Sequence, residues 1–218
     1  MAAPAVTPAL WHDRVMTEPV SASWERIEEW CGRNDITHVL RPPAAEADIA
    51  AAQAQVGLGF PSDVVESLRR HDGTPTRPTS FLVPERWVLL PLDRTVEEWR
   101  SRTEQLAERQ AAEIDEISDE DDEDWSDVEE GEEDNHWGWN PAWLPIALDD
   151  TGCTLVVELR PGDRFGAVGY LDPQSIPRFD GVDTFPSTAA LLAHTADALH
   201  GNGTMTAAVE NQRIRWTD

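Results

Sequence analysis

The sequence predicts an α+β fold: a single domain with helices packed on a mostly antiparallel sheet, interrupted by a long acidic disordered insert. Three observations carry this expectation. Apolar residues recur at helical spacing through the first half of the chain, whereas short apolar runs separated by turn residues dominate the second half. Between them, Glu113 to Asp134 reads EIDEISDEDDEDWSDVEEGEED, in which 15 of 22 residues are acidic and none is basic. Like charges packed within a Debye length of about 8 Å repel, and so polar a run buries too little apolar surface to offset the entropy of ordering.

The elements follow in order. Pro4, Pro8 and Pro19 break any helix in the first twenty residues, so residues 1–20 are expected as a flexible arm. Ser21 or Ser23 is placed to cap a first helix that presents Trp24, Ile27, Trp30 and Cys31 on one face and ends near Gly32. Val39 to Pro43 reads as an extended lead-in to a second, Ala-rich helix from Glu46 to Val56, closed by Gly57. A third helix begins after Pro61, with Ser62 or Asp63 as cap and Val64, Val65 and Leu68 facing inward. It ends at His71-Asp72-Gly73, where Gly73 can supply a positive φ.

Phe81-Leu82-Val83 and Trp87 to Leu92 have strand character, and Val96, Trp99, Thr103 and Leu106 are spaced for a helix starting at Asp93 and fraying as the acidic run begins. Order is expected to return at His136. Trp143 to Leu148 and Cys153 to Leu159, joined by Asp149-Asp150-Thr151-Gly152, form a hairpin, and Ala167 to Leu171 adds a third antiparallel strand. A last helix runs from Ser187 to about His200, and 201–218 reads as a weakly ordered C-terminal tail. The ordered domain is thus 21–200, interrupted at 113–134.

Charge narrows the function classes. The formal net charge is -25, and outside the acidic run 27 acids still face 17 basic residues, a net of -10. Phosphate backbones repel such a surface, so no nucleic-acid partner is expected; a basic protein suits it, and a charge this large favours a monomer. Every basic residue is Arg, a codon-bias signature of a high-GC bacterial genome. The N-terminus lacks the make-up of a secretion signal and no run reaches the length of a membrane helix, so no membrane association is expected and the chain is placed in the cytoplasm.

Catalytic and ligand-binding patterns are sparse. Cys31 and Cys153 belong to no metal-ligand spacing, and the six histidines share none. Read from Asp119 as a calcium loop, the acidic run has Asp124 where the sixth position requires Gly. No nucleophile elbow or phosphate loop occurs. His71-Asp72 could form an oriented imidazole pair, but at a helix end it reads better as a capping device. No catalytic residue, cofactor or metal is therefore assigned.

Of the ten tryptophans, Trp24, Trp30, Trp87, Trp99 and Trp143 sit at core-facing spacings. The residues placed to touch a partner are Asp119, Glu120, Asp121, Asp122, Glu123, Asp124 and Trp125 in the run, with Trp137 and Trp139 at its exit, which could instead pin the loop to the domain.

The order of motifs resembles the SUKH superfamily. Its carriers are Trp24-Glu25-Arg26-Ile27-Glu28-Glu29-Trp30, Leu40-x-Pro42-Pro43-Ala44-x-Glu46-x-Asp48-Ile49, Phe60-Pro61-x-Asp63, Ser67-Leu68-x-x-His71-Asp72-Gly73 and Trp139-Asn140-Pro141-x-Trp143-Leu144-Pro145-Ile146-Ala147. The later segments look like the Smi/Knr-type branch, and the likeness runs from about Trp24 to Leu199. The resemblance implies an α+β domain without catalysis, in bacteria chiefly an immunity protein that neutralises a cognate toxin, and in fungi a cell-wall regulator. It implies no binding residues. Joined to the charge, it suggests a basic toxin, with a nuclease as the class that fits, as partner; a regulatory or scaffold protein of the Smi/Knr type is the alternative.

Overall fold

The computed structural model describes residues 18–75, 82–85, 87–117, 138–173 and 177–217. Helices α1 (Val20–Arg33), α2 (Glu46–Val56), α3 (Ser62–Arg70) and α4 (Leu92–Ile117) are joined by a 3₁₀ turn at Thr37–Val39 and a short strand β1 (Val88–Leu89). Strands β2 (Trp143–Leu148), β3 (Thr154–Glu158) and β4 (Val168–Leu171) follow, then α5 (Thr188–Leu199) and strands β5 (Thr206–Glu210) and β6 (Arg213–Thr217). The first four strands form one antiparallel sheet in the order β1-β2-β3-β4, and β5 pairs with β6 alone. This is the α+β class the sequence predicts.

The main sheet is built on β2 and β3. Their residues are buried almost throughout, as apolar runs without alternation require of strands covered on both faces. Pairing runs from Trp143 opposite Glu158 to Leu148 opposite Thr154, with a register shift between Pro145 and Ala147. Pro145 has no amide to give the ladder, and the irregularity falls directly after it. The outer edge of β4 is covered by bridges from Phe185 to Val168 and from Arg178 to Tyr170, which removes an edge open to another chain.

Two apolar clusters fill the interior. One joins α2, α3 and α4 to the sheet through residues such as Ile49, Val64, Trp99, Trp143 and Leu155. The other joins α1 to α5 through Trp24, Ile27, Leu192 and Leu199. Trp24, Trp30, Trp87, Trp99 and Trp143 are all buried, as their spacing predicts.

Several local expectations are corrected. Residues 206–217 are no loose tail: they form a hairpin whose Ile214 is 2% exposed and closes the α1–α5 cluster. Asn211 and Gln212 both take positive φ, 51° and 63°, the two-residue turn whose twist matches paired strands. Helix α1 begins at Val20 behind Pro19, with Ser23 inside it donating to Glu18 and Ser21 making no cap. Helix α3 likewise starts behind Pro61 without a side-chain cap, while Asp63 reaches across to accept from the Ala189 amide of α5 at 3.0 Å. Val83 makes only an isolated bridge to Trp87, and the strand at Val88 stops early because Pro91 cannot donate and Leu92 opens α4. Helix α4 continues through Ile117, into the acidic run, instead of fraying at Glu113.

Candidate partner-binding site

Asp119, Glu120, Asp121, Asp122, Glu123, Asp124, Trp125 and Trp137 lie outside the described residues, as does His136. Trp139 is described, and it is core. It is 4% exposed, its indole N–H donates to Thr103 Oγ1 at 3.1 Å, and its ring meets Trp143 edge-on at 6.1 Å. The Arg102 guanidinium lies over the Trp139 ring, 5.5 Å from its centroid. Trp99 donates to the Pro141 carbonyl at 2.8 Å, so two indoles fasten the start of the second half of the domain to α4. Buried this way, Trp139 offers no face to a partner.

His71 and Asp72 do not act on one another. Asp72 Oδ1 accepts from the Leu92 amide at 2.7 Å, capping α4 from another element, while Oδ2 accepts from Arg41 at 3.1 Å. His71 instead places Nε2 at 2.8 Å from Glu28 Oε1 and Nδ1 at 2.6 Å from the Arg41 carbonyl. Both ring nitrogens are engaged by oxygens of the fold itself, an arrangement that makes the imidazole a structural tie. Its ring also packs on Trp24 at 4.9 Å, and Trp24 in turn donates to Ser67 at 3.1 Å. The junction ties α1, α3 and the lead-in to α2 together.

The thiols are equally unreactive in placement. Cys31 is buried, and burial pushes its thiol up to about 12, far from the thiolate a nucleophile needs. Cys153 is buried as well and receives a hydrogen bond from Tyr170 at 3.1 Å. Among the described residues no group of three His, Cys, Asp or Glu side chains could hold a metal ion, and no helix is long and apolar enough to cross a membrane.

What the fold does provide is a broad open cleft of about 620 Å³ between α2, α4 and the Arg41 to Ala45 lead-in. Pro43, Ala44, Ala52 and Val96 give it an apolar floor, and Asp48, Asp93 and Arg100 stand among its charged lining. Sequence reasoning did not find this cleft. Its residues come from segments tens of positions apart, and no motif announces that two helices will part there.

Helices on an antiparallel sheet, with polar junctions spent on holding the elements together and a broad cleft at the surface, define an α+β domain. The family model for the SMI1 / KNR4 family (SUKH-1) matches residues 43–187, and the chain belongs to that family. The match is narrower than the likeness seen in the sequence, since α1 and the whole of α5 fall outside it. A relative in Schizosaccharomyces pombe, "Cell wall biosynthesis/cell cycle regulator smi1", is 30% identical over 158 residues, 66% of this chain. The chain spans only 29% of that protein's length.

Proposed function

We propose that this chain is a non-enzymatic cytoplasmic binding protein that serves as an immunity protein, binding and neutralising a cognate toxin, with a nuclease as the toxin class its charge fits. The observation that carries the reading is the formal charge of -25 on a member of the SMI1 / KNR4 family. A nuclease needs a basic face to hold phosphate, and an acidic protein that covers this face competes with the nucleic acid and is steered to it over long range. The engaged nitrogens of His71 and the buried thiols support a role without catalysis.

The test is to co-express the chain with basic nuclease toxins encoded in the same genome, starting with any encoded beside it, and to follow survival, then association by stopped flow. Survival is expected to be restored, and the association rate to fall at least about tenfold between low and high salt. Cells that die regardless of the chain would overturn the immunity role, and a rate flat with salt would overturn its electrostatic basis.

The relative's description favours a second reading, a regulator of cell-wall synthesis in which the acidic run docks other proteins. It predicts that deleting the gene sensitises the host to cell-wall stress when no toxin is present.

A further inference from the structure

We propose that the cleft between α2 and α4 is the docking site, and that its occupant is an extended basic segment of a partner protein, with Arg or Lys side chains set against Asp48 and Asp93. The inference rests on the reading above that the partner is a basic protein. It adds where that partner seats and by what contact.

The cleft has a volume of about 620 Å³, against about 110, 40 and 30 Å³ for three other pockets. Its charges divide into those already used and those left over. Arg41 is paired with Asp72, which also caps α4. Arg100 is held by the Gln55 amide oxygen, which accepts from its Nε at 2.9 Å once the amide is oriented to accept. Asp48 is exposed and its carboxylate has no hydrogen-bond or ion-pair partner among the described residues, while the Asp93 carboxylate accepts only from the adjacent Arg94 amide. Both sit in the first turn of their helices, where the positive end of the helix favours a carboxylate.

A surface of this make-up selects its ligand. Carboxylates facing solvent repel phosphate, which disfavours nucleic acid. The cleft is open and lacks the buried convergent polar groups that fix a small molecule. A second copy would bring another -25 of charge. A chain in extended form can lay alternate side chains on the Pro43, Ala44, Ala52 and Val96 floor while its cationic side chains reach the two aspartates.

The experiment titrates the full ¹⁵N-labelled chain, at physiological salt, with the peptide Ala-Thr-Arg-Ala-Arg-Thr-Ala and with its counterpart carrying Glu in place of Arg. Saturable amide shifts are expected at Ala51, Ala52, Gln55, Val96 and Arg100 with the arginine peptide alone. The D48N/D93N double variant is expected to weaken them about fivefold, as the loss of two partly exposed ion pairs implies. Ala51→Trp, at an exposed position of α2, is expected to abolish them while the far-ultraviolet circular dichroism stays unchanged.

Shifts confined outside α2 and α4, equal shifts with the glutamate peptide, or indifference to these variants would overturn the proposal. So would concentration-dependent shifts on α2 and α4 without peptide, which would make a second copy the occupant. The two readings fail separately. A toxin bound equally by wild type and D48N/D93N sinks the cleft and leaves immunity standing, whereas a peptide seated in the cleft of a chain that rescues no cell does the reverse.

Discussion

Glu28 and His71 are 43 residues apart in sequence and 2.8 Å apart in space, and their contact closes the corner between α1 and α3. Arg70 donates twice to the same carboxylate, at 2.5 and 2.7 Å. Its hydrogen bonds first, and that of His71 after them, hold the Glu28 carboxyl below its ordinary value of 4.5 against the opposing effect of partial burial. A folded value below the unfolded one gives stability that is present above the unfolded value and lost as pH falls through the folded one. Glu28→Gln is therefore expected to be less stable than wild type by about 1 kcal/mol near neutral pH, a figure kept small because the pair is partly exposed. The gap should narrow as pH falls below 4.5 and close once the folded carboxyl is protonated. Urea melts near pH 7, 5 and 3 check it, and a gap of equal size at all three would sink the assignment.

Gly73 is fixed by backbone geometry. Its φ is 63°, and a Cβ there would lie 2.7 Å from the Pro91 nitrogen and closer still to the Leu90 carbonyl. The carbonyl of Gly73 accepts from Arg41 and the next residue, Thr74, donates to Leu89, so the segment cannot back away without breaking both bonds. Gly73→Ala should cost at least about 2 kcal/mol, combining left-handed strain with overpacking. In a chain of this size that lowers Tm by at least about 4 °C. A variant that melts with wild type would show that the segment yields freely.

The C-terminal hairpin should matter to α1 and α5 more than to the sheet. Ile214 is 2% exposed in the cluster with Trp24, Ile27 and Leu199, so Ile214→Ala is expected to cost about 2–4 kcal/mol. Hydrogen exchange locates the loss: amides of α1 and α5 should exchange faster while those of β2 and β3 hold. Uniform acceleration would mean that the two clusters unfold as one.

Where a local signal was strong, the sequence and the structure agree. The helical spacing of Trp24, Ile27, Trp30 and Cys31, the Gly57 stop and the Asp149 to Gly152 turn each correspond to an element of the fold. The C-terminal hairpin was legible too, since Ala207, Val209, Ile214 and Trp216 alternate about Asn211-Gln212, but its polar composition reads as a tail when alternation is not weighed. The helix caps differ from the sequence expectation for another reason. Pro19 and Pro61 occupy the cap positions, and Asp63 and Asp72 spend their carboxylates on α5 and α4, choices decided by tertiary packing. Likewise Glu28 could not be matched to His71, nor Asp48 to Asp93, because nothing in one segment marks its neighbour in space.

Trp139 separates a structural tryptophan from a contact residue. Its flank beside the acidic run suits a partner contact, yet its indole is enclosed between Thr103, Trp143 and Arg102. Trp139→Phe keeps an aromatic ring against Trp143 and loses the hydrogen bond to Thr103, so it should cost about 1 kcal/mol. Trp139→Ala also leaves a cavity between α4 and the sheet and should cost about 3–5 kcal/mol. Thermal melts of both variants measure the ladder, and the association rate with a bound protein should be the same for wild type and Trp139→Phe. A Trp139→Ala variant that melts within a degree or so of wild type would contradict the core assignment, and a Trp139→Phe variant of unchanged stability but slower association would return the residue to the interface.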